Sequence, residues 1–280
     1  MKKSAEYVLC KLHSVGILSD ILEGKFRNHR VVVLGHSLGA GVAAILSIIL
    51  HATYCSARSR IQCFAYAPPG GLLSPALVSY SKDFIVGCFS GNDIVPRMAV
   101  HTFDDLRDLV LSSLARCNIS KSSLFLKKCF RAKVSDALAA PVFDSFSGGR
   151  VLLERLRETS YSPHEEARRL FPPMTLVHFR KAVVLTRTGS CFQRICSGCR
   201  SREEVFVPMF VSPADVQMIV CSSTMFTDHF PDRLFNVMEK ACDRLERGEL
   251  SRFFFPIENT SSSPTRANEG IFFSGMHGAI

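Results

Sequence analysis

Ser37 stands in Gly35-His36-Ser37-Leu38-Gly39, a G-x-S-x-G pentapeptide with an apolar run before it (Val31 to Leu34) and a small-residue, helix-prone run after it. The pattern reads strand, sharp turn, helix: a nucleophile elbow. A serine hydroxyl attacks an ester carbonyl only if it stands clear of its surroundings and a base removes its proton. The tight turn supplies the first condition. Side chains at 35 and 39 would crowd such a turn, so glycine is expected at both. Ala40, Gly41, Ala43 and Ala44 let the following helix approach the strand closely. The amino end of that helix faces the hydroxyl, and the Leu38 N–H is placed to receive oxyanion charge.

A base and an acid are then required. Phe84 to Phe89 reads as a strand that delivers Gly91-Asn92-Asp93 at its carboxyl end, where open α/β sheets place their chemistry. Asp93 is the candidate acid. Of nine histidines, His229 alone lies in a loop after several strands and before a final helix. His13 is on a helix preceding the serine, and His29 is in a charged turn. His36 is within the elbow and points away from its neighbour's hydroxyl, and His51 ends the helix after it. His101 and His164 fall in or near a looser region, His178 is inside a strand and packed, and His277 is in the tail. Ser37, Asp93, His229 is the chain order of α/β-hydrolase triads. In this reading Ser37 attacks, His229 carries the proton to the leaving alcohol, and Asp93 holds the imidazole tautomer and steadies its charge.

The elements that must position these groups follow from periodicity. Residues 4–22 carry an apolar stripe (Tyr7, Val8, Leu12, Val15, Leu18, Leu22) and predict one helix. The helix after Ser37 is expected to end near Tyr54, and 55–60 to be a polar connector. A strand is expected over 61–67, stopped by Pro68-Pro69-Gly70-Gly71, and a short helix over 72–81. An amphipathic helix spans 103–117, with Asp104, Asp105, Arg107 and Asp108 on its wet side. Residues 118–170 read as an insertion, a lid or regulatory region in which Leu124 to Phe130 is both basic and apolar. Strands are expected over 174–185 and 204–211, the second demoted to an edge or bulge by Pro208. Residues 215–221 read as a short strand or helix start, and 232–247 as a helix. The chain is therefore expected to form an α/β-hydrolase domain over 1–257 with a loosely held tail over 258–280.

Composition narrows the classes further. A chain of 280 residues that is 47% apolar suffices for one large α/β domain. Its net charge of +9 suits an anionic membrane surface or a solvated face. Nothing in the sequence matches a zinc finger, a recognition helix or another nucleic-acid module, so no nucleic acid partner is expected. Eleven scattered cysteines indicate mainly free thiols on a cytosolic side. Cys191, Cys196 and Cys199 form the one cluster, without a second pair to complete a zinc site, and no metal is assigned. No signal peptide is evident, since Glu6, Lys11, His13, Asp20 and Glu23 interrupt any apolar core in 1–30, and no transmembrane helix is evident, since the Gly35–Gly39 turn interrupts the long apolar run from Val31 to Leu50.

Four segments taken together carry a resemblance: VVVLGHSLGAGVAA (31–44), FAYAPPGGL (64–72), FIVGCFSGNDIVPR (84–97) and MFTDHFPD (225–232). They resemble the class 3 (fungal-type) lipases, and among these most resemble the sn-1-specific diacylglycerol lipases. The resemblance implies hydrolysis of the sn-1 acyl ester of diacylglycerol, giving 2-monoacylglycerol and a fatty acid. With an arachidonoyl chain the product is an endocannabinoid. It implies a membrane-associated catalytic domain on the cytoplasmic side, four transmembrane helices ahead of it and a regulatory insertion. It also implies calcium dependence, although no calcium loop is visible and no cofactor is evident from the residues.

Against that family the chain is expected to be N-terminally truncated, lacking the membrane helices and the first strands of the sheet. The loop after the missing neighbour of the elbow strand normally gives the second oxyanion N–H. Loss of one such donor costs about 3–4 kcal/mol of transition-state stabilisation, and the bared edge at Val31 to Leu34 is an aggregation liability. Two other readings follow: a catalytically weak or silent membrane-associated fragment with a regulatory or scaffold role, and a soluble esterase acting on small esters.

Overall fold

The computed structural model describes residues 1–115, 169–173, 175–187 and 200–250. The chain divides into two compact units, Met1–Ala241 and Cys242–Ile280. The first is a mixed α/β unit built on a five-stranded sheet in the order β1-β2-β3-β4-β5. Strands β1 (Val31–His36), β2 (Ile61–Tyr66), β3 (Ile85–Ser90) and β4 (Thr175–Arg187) are parallel, and β5 (Arg200–Val211) runs antiparallel to β4. The architecture is that of an α/β-hydrolase-like sheet flanked by helices.

The amino-terminal region forms two helices, α1 (Lys2–Ser14) and α2 (Ile17–Leu22), in place of the single expected one. Gly16 separates them with φ 77°, a left-handed turn that an α-helix cannot contain. The break changes the stripe. Leu18 and Leu22 are buried, whereas Tyr7 and Val15 point to solvent.

Helix α3 (Leu38–Thr53) crosses from β1 to β2. Its Ala43, Ala44, Leu46 and Leu50 pack with Ala5, Leu18, Leu22, Val31, Val33, Ile61, Cys63 and Ala65, so one sheet face is sealed by α1, α2 and α3. The register Val31↔Ile61 to His36↔Tyr66 places alternate residues on the two faces. Val32 and Leu34 therefore lie opposite Val31 and Val33, and they are exposed, Leu34 by 65%. Among the described residues β1 is an edge strand.

The connector at Cys55–Arg60 is a 3-10 helix. Helix α4 (Pro75–Ser81) starts later than expected because Ser74 caps it, its hydroxyl accepting the Leu77 N–H, and Pro75 takes the first position. Helix α5 runs Val100–Ala115, and the Arg107 guanidinium bonds Asp104 and Asp108 at 2.9 Å each on its outer side. Pro208 lies opposite Phe179 in β5, which among the described residues is the other sheet edge, the position a residue without an N–H tolerates. Residues 215–221, expected to be a short strand or helix start, hold only the end of a 3-10 turn, Pro213–Val216, closed by a Ser212/Asp215 capping box, and 217–221 continue without regular structure.

Helix α6 runs Pro231–Glu246; its Leu234 and Val237 are buried, and Met238 approaches Cys88 of β3. In the second unit Gly248, at φ 70°, donates to the Leu245 carbonyl, and the Arg244 and Arg247 guanidinium groups each reach Glu249 at 3.3 Å. The insertion expected over 118–170, apart from its last two residues, lies outside the described residues. So do the Cys191, Cys196, Cys199 cluster and the expected boundary at 257–258.

Candidate active site

Two parallel crossovers bring the carboxyl ends of β1 and β3 to the same end of the sheet, and the turn before α6 meets them there. Ser37 follows β1 directly, with φ 57° and ψ −124°. That backbone region costs a non-glycine residue about 1–3 kcal/mol and survives only where surroundings enforce it. Here the Ser37 N–H donates to the Tyr66 carbonyl at 2.9 Å, and the Ser37 carbonyl accepts from Ala40 and Gly41 at 3.0 and 3.2 Å. Both sides of the turn are thus tied, one to β2 and one to α3.

The two elbow glycines are not equivalent. A Cβ at Gly35 would lie 2.3 Å from the Gly39 carbonyl oxygen, so the strand and helix backbones approach as expected. At Gly39 a Cβ would meet no described atom within 4 Å. The expected crowding there is absent, because that position faces away from β1 on the open side of the helix.

Asp93 is fully buried. Gly91 turns the chain with φ 53°, and the Asp93 N–H closes the turn onto the Ser90 carbonyl at 3.1 Å. One carboxylate oxygen, Oδ1, accepts the Val95 N–H at 2.9 Å. His229 ends a 3-10 turn, Thr227–His229, whose backbone is fixed by Phe230 to Thr227 and Asp228 to Thr224 bonds. With Nδ1 protonated, His229 donates to Asp93 Oδ1 and Oδ2 at 3.1 Å each, and its Nε2 accepts from Ser37 Oγ at 2.8 Å. The structure therefore brings together the three residues separated by 56 and 136 positions in sequence. Leu38 is the first residue of α3, and a helix leaves its first N–H groups without an internal acceptor.

Several further residues hold this arrangement. The His36 Nε2–H donates to the His229 carbonyl at 3.0 Å, and the two rings lie 4.8 Å apart. His36 makes no bond to Ser37 Oγ, but it supports the base. Pro68-Pro69-Gly70-Gly71 does more than stop β2. The Gly70 and Gly71 N–H groups bond the carbonyls of Val95 and Met98, and a Cβ at Gly70 would strike the Pro96 carbonyl oxygen at 2.4 Å. His178, stacked on Phe89, donates from Nε2 to the Gly91 carbonyl at 2.7 Å. Burial pushes its pKa down to about 4, with Arg97 and Arg180 adding to the effect against the Gly91 bond. Arg97 is itself buried, and desolvation lowers its pKa while the Asp93 charge opposes that shift. These supports leave little trace in sequence, since each depends on which strand ends the sheet brings side by side.

Among the described residues no group of three or more His, Cys, Asp or Glu side chains is placed to hold a metal ion. No described helix is long and apolar enough to cross a membrane.

Comparison with known proteins agrees with the strand–elbow–strand frame. Residues 10–103 match the family model described as Lipase (class 3). The chain is 29% identical to mouse diacylglycerol lipase-beta over 279 residues, covering 94% of this chain and 39% of that protein. It is 41% identical to human diacylglycerol lipase-alpha over 121 residues, covering 41% of this chain and 11% of that protein. The chain thus spans well under half the length of either relative. Over residues 10–103 the chain is thus similar to the class 3 lipases, and its sequence is homologous to the diacylglycerol lipases.

Proposed function

We propose that the chain is a serine hydrolase that cleaves the sn-1 acyl ester of diacylglycerol, releasing a fatty acid and 2-monoacylglycerol. The observation that carries this reading is the Ser37 Oγ to His229 Nε2 distance of 2.8 Å, with Asp93 behind the ring. Ser37 Oγ attacks the acyl carbonyl as His229 Nε2 takes its proton. The resulting imidazolium is balanced by the buried Asp93 carboxylate, itself held by the Val95 N–H. The tetrahedral oxyanion is received by the Leu38 N–H at the positive end of α3. His229 then returns the proton to the leaving glyceride oxygen, and water repeats the sequence on the acyl-enzyme.

The lipid character of the substrate rests on two supports. The relatives are named as diacylglycerol lipases. The residues next to the nucleophile and base, Leu38 and Phe230, are large, apolar and exposed, as an acyl chain arriving at the site requires. Membrane association follows from the same apolar rim and from the basic charge balance.

The reading is tested by incubating the chain with diacylglycerol labelled separately at the sn-1 and sn-2 acyl groups in mixed micelles. Release of the sn-1 label with accumulation of 2-monoacylglycerol is expected. Equal release of both labels would overturn the positional assignment, and hydrolysis of short-chain esters alone would favour a small-ester esterase.

A further inference from the structure

Asp228, directly before His229, is 5% exposed. Its carboxylate lies against the backbone of the Asp93 loop: Oδ2 accepts the Asn92 N–H at 2.9 Å. Its carbonyl accepts from Ser90 Oγ at 3.1 Å. A third bond between the same loops runs from the Ile94 N–H to the Met225 carbonyl at 3.2 Å. The approach is close enough to dictate the residue opposite. A Cβ at Gly91 would sit 2.5 Å from Asp228 Oδ2 and 2.9 Å from its Cγ. Gly91 is therefore required both by its φ of 53° and by the carboxylate beside it.

A second buried carboxylate next to the acid is costly. Burying an ionised group is unfavourable unless it is hydrogen-bonded and paired. The Arg233 Nε lies 3.7 Å from Asp228 Oδ1 but is half-exposed, so its compensation is weak. What the carboxylate does uniquely is satisfy the Asn92 N–H and so tie the loop bearing Asp93 to the turn bearing His229. The two loops come from the end of strand β3 and from the segment before α6, with Asp93 and His229 136 residues apart, and the backbone tie at Asn92 adds to the Ser90 and Ile94 bonds and to the Asp93–His229 bonds themselves.

Resting on the triad reading above, we infer that Asp228 is a positioning residue: its carboxylate oxygen clamps the acid loop to the base loop and so sets the Asp93–His229 distance. The requirement is for an acceptor at Oδ2, not for a charge. Asp228→Asn presents a carbonyl oxygen at the same place and retains the clamp, whereas Asp228→Ala removes it. Misplacement of a catalytic group by about 1 Å can cost about a hundredfold in rate.

The test measures kcat and KM of the full chain on micellar diacylglycerol, with the rate of fluorophosphonate labelling per folded molecule. Wild type is compared with Asp228→Ala, Asp228→Asn, Gly91→Ala and Ser37→Ala, each checked for folding by circular dichroism. Asp228→Ala is expected to lower kcat and the labelling rate about tenfold to a hundredfold with KM unchanged, and Asp228→Asn to restore both. If Asp228→Ala does not fold, Gly91→Ala, which keeps the carboxylate but pushes it off Asn92, is expected to show the same loss. A folded Asp228→Ala with wild-type kcat, or equal losses in Asp228→Ala and Asp228→Asn, would overturn the inference. Activity that survives Ser37→Ala would instead overturn the triad reading.

Discussion

His36 and His229 face each other across the site, ring centroids 4.8 Å apart, and the His36 Nε2–H bonds the His229 carbonyl at 3.0 Å. The residue before the nucleophile therefore braces the backbone of the base. A half-buried hydrogen bond of this kind contributes about 1 kcal/mol. His36→Phe, which keeps a ring but loses the donor, is expected to lower the unfolding free energy by about that amount, measured as a shift in the urea midpoint. An unchanged midpoint would show the bond to be dispensable.

The elbow glycines separate two roles. Gly35→Ala puts a methyl 2.3 Å from the Gly39 carbonyl oxygen, so β1 and α3 must move apart and labelling of Ser37 by a fluorophosphonate is expected to be lost. Gly39→Ala meets no described atom within 4 Å, and alanine is favoured over glycine in a helix by about 1 kcal/mol. Thermal denaturation is expected to show Gly39→Ala at least as stable as wild type and Gly35→Ala clearly less so.

Much of the frame is legible in the chain, and what is not has a common cause. Val31 to Leu34 before G-x-S-x-G, and the strand ending at Gly91-Asn92-Asp93, are local patterns, and in the structure Ser37, His229 and Asp93 lie within hydrogen-bond distance in series. The single helix over 4–22 fails because a left-handed Gly16 outweighs the stripe. The pattern implies the same crowding at Gly39 as at Gly35, and only Gly35 experiences it. The supporting roles of Asp228, Arg97 and the Gly70–Gly71 backbone are not visible in the sequence. Their partners lie on strands and loops remote in sequence, and no periodicity records a contact between Asn92 and residue 228.

Asp93→Asn tests the role of the acid separately from its fold. The amide can still accept the Val95 N–H, so the loop is retained, but it no longer favours the His229 tautomer with Nδ1 protonated. A fall in kcat of about 10⁴-fold is expected, the size seen when this exchange is made in Ser-His-Asp enzymes. Steady-state hydrolysis rates decide it, and a loss below tenfold would remove Asp93 from the role proposed.

His178 ties stability to pH. Its folded pKa is about 4 against 6.5 for the free side chain, chiefly through burial. Between these values the unfolded chain binds the proton and the folded chain does not, so stability falls as pH drops from 6.5 towards 4. Above 6.5 the contribution is complete. Urea unfolding at a series of pH values is expected to show this slope in wild type and a reduced one in His178→Gln, which retains a donor for the Gly91 carbonyl. Identical slopes would exclude His178 as the source.

The most direct measurement is intact-protein mass spectrometry after exposure to a fluorophosphonate, followed by peptide mapping. The account predicts one adduct, on Ser37, lost in Ser37→Ala and strongly slowed in His229→Gln. An adduct on another serine, or labelling that persists in Ser37→Ala, would contradict it.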